Sequence, residues 1–301
     1  MASLLSGVLI PTTTPFTSEG EIDVPAFRSN LDRWLESGIR GVVIGGSTGE
    51  AVFLDEEERL ALWDEAREAV PEDRLVVAGT GAESTRATIR LGRRAAERGA
   101  DAVLVQPPAF YRGQMTPGVL RDHYRAVADA SAVPVVLYQV PLRFSTLDFP
   151  TGLVAELSEH ENIVGIKDSR GKLELVGELV DSSRKGFQVL VGNGALLYAS
   201  LEVGAVGGIL GVANVLPADS AGIVEAFEVG RTAEAGRLQE RVGPVHKKVV
   251  GEHGVPGVKA ALDLIGLRGG DPRPPLRPLP AADRETVRGV LEKAGVLASS
   301  A

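Results

Sequence analysis

Lys167 closes the run IVGIKDS (163 to 169), whose aliphatic and β-branched residues otherwise mark a buried β-strand. Burial disfavours the charged form of an amine, and a neutral amine can attack a carbonyl carbon to give a Schiff base, so Lys167 is a candidate nucleophile. The structural alternative is a lysine that snorkels from the strand end to water. Tyr138, near the end of PVVLYQ (134 to 139), carries a phenol that can give and take protons at one place, or can fill a core layer with its hydroxyl satisfied. In GGSTGE (45 to 50), Gly45 and Gly46 permit a tight turn. The N–H groups and hydroxyls of Ser47 and Thr48 would then form a nest sized for a carboxylate; as a bare turn the segment would bind nothing.

These residues need a scaffold that brings strand ends together. Short β-branched runs at 7–12, 41–46, 75–80, 101–106, 134–139, 163–167, 187–192 and 205–210 alternate with amphipathic helical patterns, as in a parallel sheet wrapped by helices. Helix candidates such as VPAFRSNLDRWLESG, DEEERLALWDEAREAV, STRATIRLGRRAAERG and TPGVLRDHYRAVADAS lie between them, several opening on Ser, Thr or Asp and closing at Gly. Eight such units predict an α/β fold of the (β/α)8 TIM-barrel type. A doubly wound nucleotide-binding sheet should carry a glycine fingerprint after its first strand, where this chain reads PTTTPF, and neither GTG nor GNG completes one. After the eighth run the pattern is purely helical. We therefore expect a barrel over 1–212 and a C-terminal helical extension over 213–301, with the proline-rich GGDPRPPLRPLPAAD (269 to 283) as a linker packed on the surface. Lys259, Lys247 and Lys248 read as surface charges of that extension, and His246 and His253 as exposed.

Composition narrows the partners. A net charge of −8 argues against nucleic acid and anionic membranes, leaving small-molecule chemistry. The chain has no cysteine and only four histidines, scattered without ligand spacing, so no metal is expected, and nothing points to a cofactor. No signal-like start or bilayer-length apolar stretch is present, so a cytoplasmic location is the default expectation.

In a barrel of this kind the chemistry sits at the C-terminal ends of the strands. Here those ends read GGSTGE, QPPAFY, YQVPLR, KDS, GNG and GGILG. With the opening GVLIPTTTPF, the segments YQVP and GIKDS, GGILGVANV and the late GVPGVKAAL, nearly the whole chain resembles the dihydrodipicolinate synthase and N-acetylneuraminate lyase superfamily, the Schiff-base-forming class I pyruvate aldolases. The resemblance implies that Lys167 forms the imine with pyruvate or another 2-oxo acid, that Tyr138 relays protons with Ser47, that Thr48 and Ser47 hold the pyruvate carboxylate beside Gly46, and that Ile209 lines the same end. Tyr111 resembles the tyrosine that reaches into a neighbouring subunit's site, which implies a dimer or tetramer; its loop AFYRGQMT is one residue longer than in the synthase branch.

The aldehyde partner is less directly written. Arg143 matches the synthase arginine that binds the carboxylate of aspartate semialdehyde. However, FSTLDF, Gln139 and the KDS triplet with Ser169 depart from the synthase pattern. The stretches from PPAFY to YQVP and ENIVGIKDS look closer to the 4-hydroxy-2-oxoglutarate aldolase branch, which releases pyruvate and glyoxylate. A lyase of that type is the favoured expectation, with the synthase as the alternative. A sugar-acid aldolase or dehydratase would want more hydroxyl-binding groups than Ser145, Thr146 and Ser169 supply. A non-catalytic 2-oxo acid sensor would have no use for Lys167, Tyr138 and Ser47 together.

Overall fold

The computed structural model describes residues 4–145 and 147–298, so Thr146 lies outside the described residues. Strands β1 (Gly7–Pro11), β2 (Gly41–Ile44), β3 (Leu75–Gly79), β4 (Ala102–Val105), β5 (Val135–Gln139), β6 (Ile163–Asp168), β7 (Gln188–Val191) and β8 (Gly207–Ile209) pair in parallel in chain order, and β8 pairs back onto β1. All eight expected strands are present, and the sheet closes as a barrel. Closure explains why the strands read as continuous apolar runs: one face packs inside the barrel and the other against helices. Leu9, Val43, Val77, Leu104, Val136, Leu190 and Ile209 fill the interior, while Val8, Ile10, Val42, Val76 and Val103 face outward into the larger cluster with Phe27, Trp34, Trp63 and Tyr124.

Helices α1 (Val24–Leu35), α2 (Glu56–Ala69), α3 (Thr85–Glu97), α4 (Pro117–Ala130), α5 (Thr151–Ser158), α6 (Leu173–Ser182) and α7 (Leu197–Glu202) form the outer layer. Their starts follow from local chemistry. Asp55 accepts from the Glu58 N–H at 2.8 Å and the Glu58 carboxylate accepts from the Asp55 N–H at 2.9 Å, a capping box that starts α2 after the GGSTGE turn and a short 3-10 turn, Ala51–Phe53. Thr116 caps α4, and Pro117 takes its first position, where no N–H is needed.

Beyond β8 come α8 (Pro217–Glu228), α9 (Thr232–Val245), a π-helical turn (His246–Gly251), α10 (Glu252–Leu264) and α11 (Ala281–Lys293). The long helical pattern expected after residue 216 is broken at Gly230, whose φ of 76° ends α8. The proline-rich segment is more than a surface linker. Arg273 donates through NH1 and NH2 to both carboxylate oxygens of Glu58, at 2.7 and 2.6 Å, and lies 4.3 Å from the Phe16 ring centroid. Its backbone N–H donates to Glu50 at 2.8 Å. The planar guanidinium explains this anchoring, because it can fork onto a carboxylate while stacking on an aromatic face. No helix among the described residues is long and apolar enough to cross a membrane.

Candidate active site

The barrel brings the strand-end residues to one cavity of about 350 Å³, lined by Ser47, Thr48, Tyr138, Lys167, Ser169 and Ile209 among others. Register explains the central pair. The β5–β6 ladder begins with Val135 opposite Ile163 and then slips by one residue, so that Val136 faces Gly165 and Tyr138 faces Lys167. Side chains alternate between faces, so without the slip Tyr138 would sit opposite Ile166, which belongs to the outer layer. The Lys167 amine lies 4.2 Å from the Tyr138 ring centroid.

Lys167 is only 5% exposed, yet its amine has no carboxylate or hydrogen-bond partner among the described residues, and it opens on the cavity. Ser47 Oγ and Tyr138 Oη are 3.3 Å apart, at the long end for a hydroxyl pair. The 3-10 turn Ser47–Gly49 is entered through Gly45 at φ 73°, a backbone conformation that glycine adopts freely. Gly46 stands at the cap of that turn and accepts through its carbonyl from the Gly49 and Ala51 N–H groups. The Ser47 and Thr48 N–H groups have no acceptor among the described residues. Ser169 Oγ lies against Gly192, where an added Cβ would come within 1.9 Å of that oxygen and 3.3 Å of Lys167 Cε. A glycine after β7 is therefore what makes room for both side chains.

Two residues singled out in the sequence sit differently from the rest. Arg143 lines the rim of the cavity, but its NH1 and NH2 groups donate to the Gly251 and Val250 carbonyls, so its fork is partly engaged by backbone. Tyr111 does not line this cavity in the single chain; it is 70% exposed and packs edge-to-face on Phe110, with ring centroids 5.2 Å apart. Gln139 proves to be a loop organiser: its amide donates to the Val140 and Leu147 carbonyls and accepts from the Phe149 N–H.

Other residues escaped sequence reading. Lys259, expected at the surface, is 1% exposed; its amine lies 2.6 Å from Glu50 Oε1, donates to the Asp271 carbonyl at 2.9 Å and sits 4.5 Å from the Phe16 ring centroid. Burial lowers its pKa, and the Glu50 carboxylate beside it opposes that shift. Lys247 and Lys248 are exposed as expected. His246, also expected to be exposed, is buried and lines the cavity, while His253 is half-buried. The side chain of Arg170 is enclosed too: its Nε donates to Asp168 at 2.6 Å and its NH1 to Asp148 at 3.1 Å. Desolvation raises the pKa of Asp168, opposed by the Arg170 charge. The signals were present, since Glu50 lies inside GGSTGE, Lys259 inside GVPGVKAAL and Arg170 two residues after Asp168, but nothing in helical periodicity says which long polar side chain has a buried partner.

The two enclosed lysines thus have opposite surroundings. Both amines lie over an aromatic ring, but Lys259 is also held by an anion and a carbonyl, whereas Lys167 is held in a concave site with neither. A nucleophile needs the second arrangement.

Comparison with known proteins agrees with this geometry. The model of the Dihydrodipicolinate synthetase family matches residues 4–294. The chain is 35% identical over 294 residues to a 4-hydroxy-tetrahydrodipicolinate synthase from Syntrophus aciditrophicus, covering 98% of this chain and 100% of that one. It is 36% identical over 276 residues to a probable mitochondrial 4-hydroxy-2-oxoglutarate aldolase from Emericella nidulans, covering 90% and 89%. The crystal structure of the chloride-inhibited dihydrodipicolinate synthase from Acinetobacter baumannii, complexed with pyruvate, superposes with a TM-score of 0.93 at 31% identity, covering 97% of this chain and all (100%) of that one. The chain therefore belongs to the dihydrodipicolinate synthetase family, within the pyruvate-dependent class I aldolases.

Proposed function

We propose that the protein is a Schiff-base lyase that makes or breaks a C–C bond at C3 of pyruvate, acting as a 4-hydroxy-2-oxoglutarate-type aldolase. The observation that carries this reading is the unpartnered Lys167 amine in the cavity, beside the Tyr138 phenol and its Ser47 contact. Lys167 attacks C2 of the 2-oxo acid, and the carbinolamine loses its hydroxyl as water, with Tyr138 supplying the proton. The Ser47 and Thr48 N–H and hydroxyl groups hold the C1 carboxylate next to Gly46, and Ile209 closes the apolar side. Removal of the C4 hydroxyl proton then breaks C3–C4: C4 leaves as the aldehyde of glyoxylate, and the bonding pair moves into the C2–C3 enamine, neutralising the iminium. Protonation at C3 and hydrolysis return pyruvate and the free lysine.

Residues 1–212 form the catalytic barrel in this reading, and the helices of 213–301 complete its mouth. Tyr111, exposed on a single chain, would extend the proton relay in a neighbouring subunit of a homo-oligomer. The motif pattern around Lys167 favours the aldolase, and the Emericella protein is a relative of that type, at an identity similar to that of the synthases. Arg143 at the rim and the similarity to the Syntrophus protein support a second reading, condensation of pyruvate with aspartate semialdehyde.

Borohydride reduction in the presence of pyruvate, followed by peptide mass spectrometry, tests the shared step: an adduct on Lys167, absent in Lys167→Arg, is expected. No adduct on any lysine of the folded protein would overturn the lyase reading. Release of pyruvate and glyoxylate from 4-hydroxy-2-oxoglutarate supports the first assignment, and turnover with aspartate semialdehyde alone replaces it with the second.

A further inference from the structure

We propose that His246 is a substrate-binding residue, its Nε2–H donating to an oxygen of the aldehyde half of the substrate, the short oxo-acid fragment that leaves or adds at C3. This rests on the lyase reading and names a contact that reading does not contain. His246 opens the π-helical turn after α9 and lines the cavity from the C-terminal helices. Its Nδ1 accepts the Gly194 N–H at 3.2 Å, so in the neutral ring the proton belongs to Nε2. Burial, reinforced by the nearby positive charges of Arg143 and Lys247, keeps the ring neutral by lowering its pKa to about 4.

Nε2 has no partner among the described residues, yet it is not sealed away as the corresponding atoms of His123 and His253 are. A donor with a fixed tautomer thus opens on the cavity. Asn193, one residue before Gly194, is held in the same way: its Oδ1 accepts the Ala195 N–H at 3.0 Å, which leaves its Nδ2 as a donor. The 3-10 turn Gly194–Leu196 therefore occupies the acceptor sides of two cavity-lining groups and leaves both donor sides for a ligand. Both are uncharged donors, which suits a carboxylate or hydroxyl oxygen and not a cation.

Position assigns them to the aldehyde half. The Ser47–Gly49 turn follows β2 and the Gly194 turn follows β7, on separate sides of the barrel mouth, with Lys167 on β6 at the floor. A substrate joined to Lys167 at C2, with its C1 carboxylate on the β2 side, extends its remaining carbons toward the β7 side.

The test uses two replacements that divide the imidazole. His246→Asn keeps an acceptor near the Nδ1 position for Gly194 and removes the cavity donor; His246→Gln keeps a donor near the Nε2 position and gives up the Gly194 bond. His246→Asn should form the Lys167 pyruvate adduct with the wild-type concentration dependence, while the half-saturating aldehyde concentration in condensation rises about 10- to 100-fold, the loss of one hydrogen bond to a charged group. His246→Gln should show the converse, a lower Tm with aldehyde saturation within about threefold of wild type. An unchanged aldehyde saturation in His246→Asn overturns the assignment, and so does an aldehyde effect that follows Tm across both variants. The wild type tests the underlying reading separately: if it forms no pyruvate adduct the lyase reading falls, and if it prefers aspartate semialdehyde the same comparison is run with that aldehyde.

Discussion

Lys259→Met removes one charge from a pair in which both side chains are 1% exposed, while keeping a similar length of apolar chain. The Glu50 carboxylate is left buried with the Arg273 N–H at 2.8 Å as its remaining direct partner. Breaking a buried pair from one side costs about 3–5 kcal/mol, because the surviving charge is stranded. At about 2 °C per kcal/mol for a chain of this size, Tm should fall by about 6–10 °C. Glu50→Gln in the same chain removes the stranded charge while its amide oxygen can still accept from Arg273, so the double variant should recover at least half of the loss. Thermal and urea unfolding monitored by circular dichroism provide the readout. A single variant within about 1 kcal/mol of wild type, or a double variant no better than the single, would refute the account. Borohydride trapping supplies an independent check, since Lys259 has no free path to pyruvate and should stay unlabelled even in Lys167→Arg.

Other expectations follow from the same contacts. Tyr138→Phe removes the relay hydroxyl but keeps the ring beside Lys167, so turnover should drop by about 10²–10⁴ while the pyruvate adduct still accumulates slowly; single-turnover trapping separates the two. Gly192→Ala drives a Cβ to within 1.9 Å of Ser169 Oγ, and displacement of Ser169 and Lys167 by a fraction of an ångström to about 1 Å should lower kcat/KM by up to about 100-fold, far out of proportion to any change in Tm. His123 is held neutral by burial, with its pKa lowered to about 4, so the unfolded chain binds more protons between about pH 4 and 6.5. Its share of stability, roughly 3 kcal/mol, is complete above about pH 6.5 and is lost as pH falls toward 4; His123→Gln should flatten the acid limb of a stability-versus-pH curve, and an unchanged slope would contradict the assignment.

The barrel was legible because its signal is repeated: each β-branched run is followed by a capped amphipathic helix, and the same pattern recurs until the sheet closes. Lys167, Tyr138, Ser47 and Thr48 were legible because they stand at strand ends, where topology alone brings them together. The slip between β5 and β6 was not, since Val164 reads as one more apolar residue and only pairing reveals it as the extra one. The surroundings of Lys259, His246 and Arg170 were hidden for a related reason. Lys259 and His246 depend on partners chosen in three dimensions, Glu50 and Gly194, lying 209 and 52 residues away, and Arg170 adds Asp148, 22 residues away, to its local partner Asp168. Periodicity reports which face of an element is apolar; it does not report which polar group that face encloses. Arg143 shows the converse, a residue whose motif suggested a free fork and whose guanidinium is tied to the π-helical turn.

The wiring of Glu50 bears on the order in which the protein can be finished. The GGSTGE turn is synthesised early, but the groups that settle its buried carboxylate come from residues 259 and 273, the second 223 positions later. Folding that proceeds from the N-terminus as the chain emerges can form β1 and β2 and their helices, yet it leaves that turn without its counter-charge until the last helices dock. A ribosome-bound chain ending before residue 259 would therefore carry a strand framework with an unset Ser47–Gly49 turn, and the cavity that turn lines would be completed in one late step.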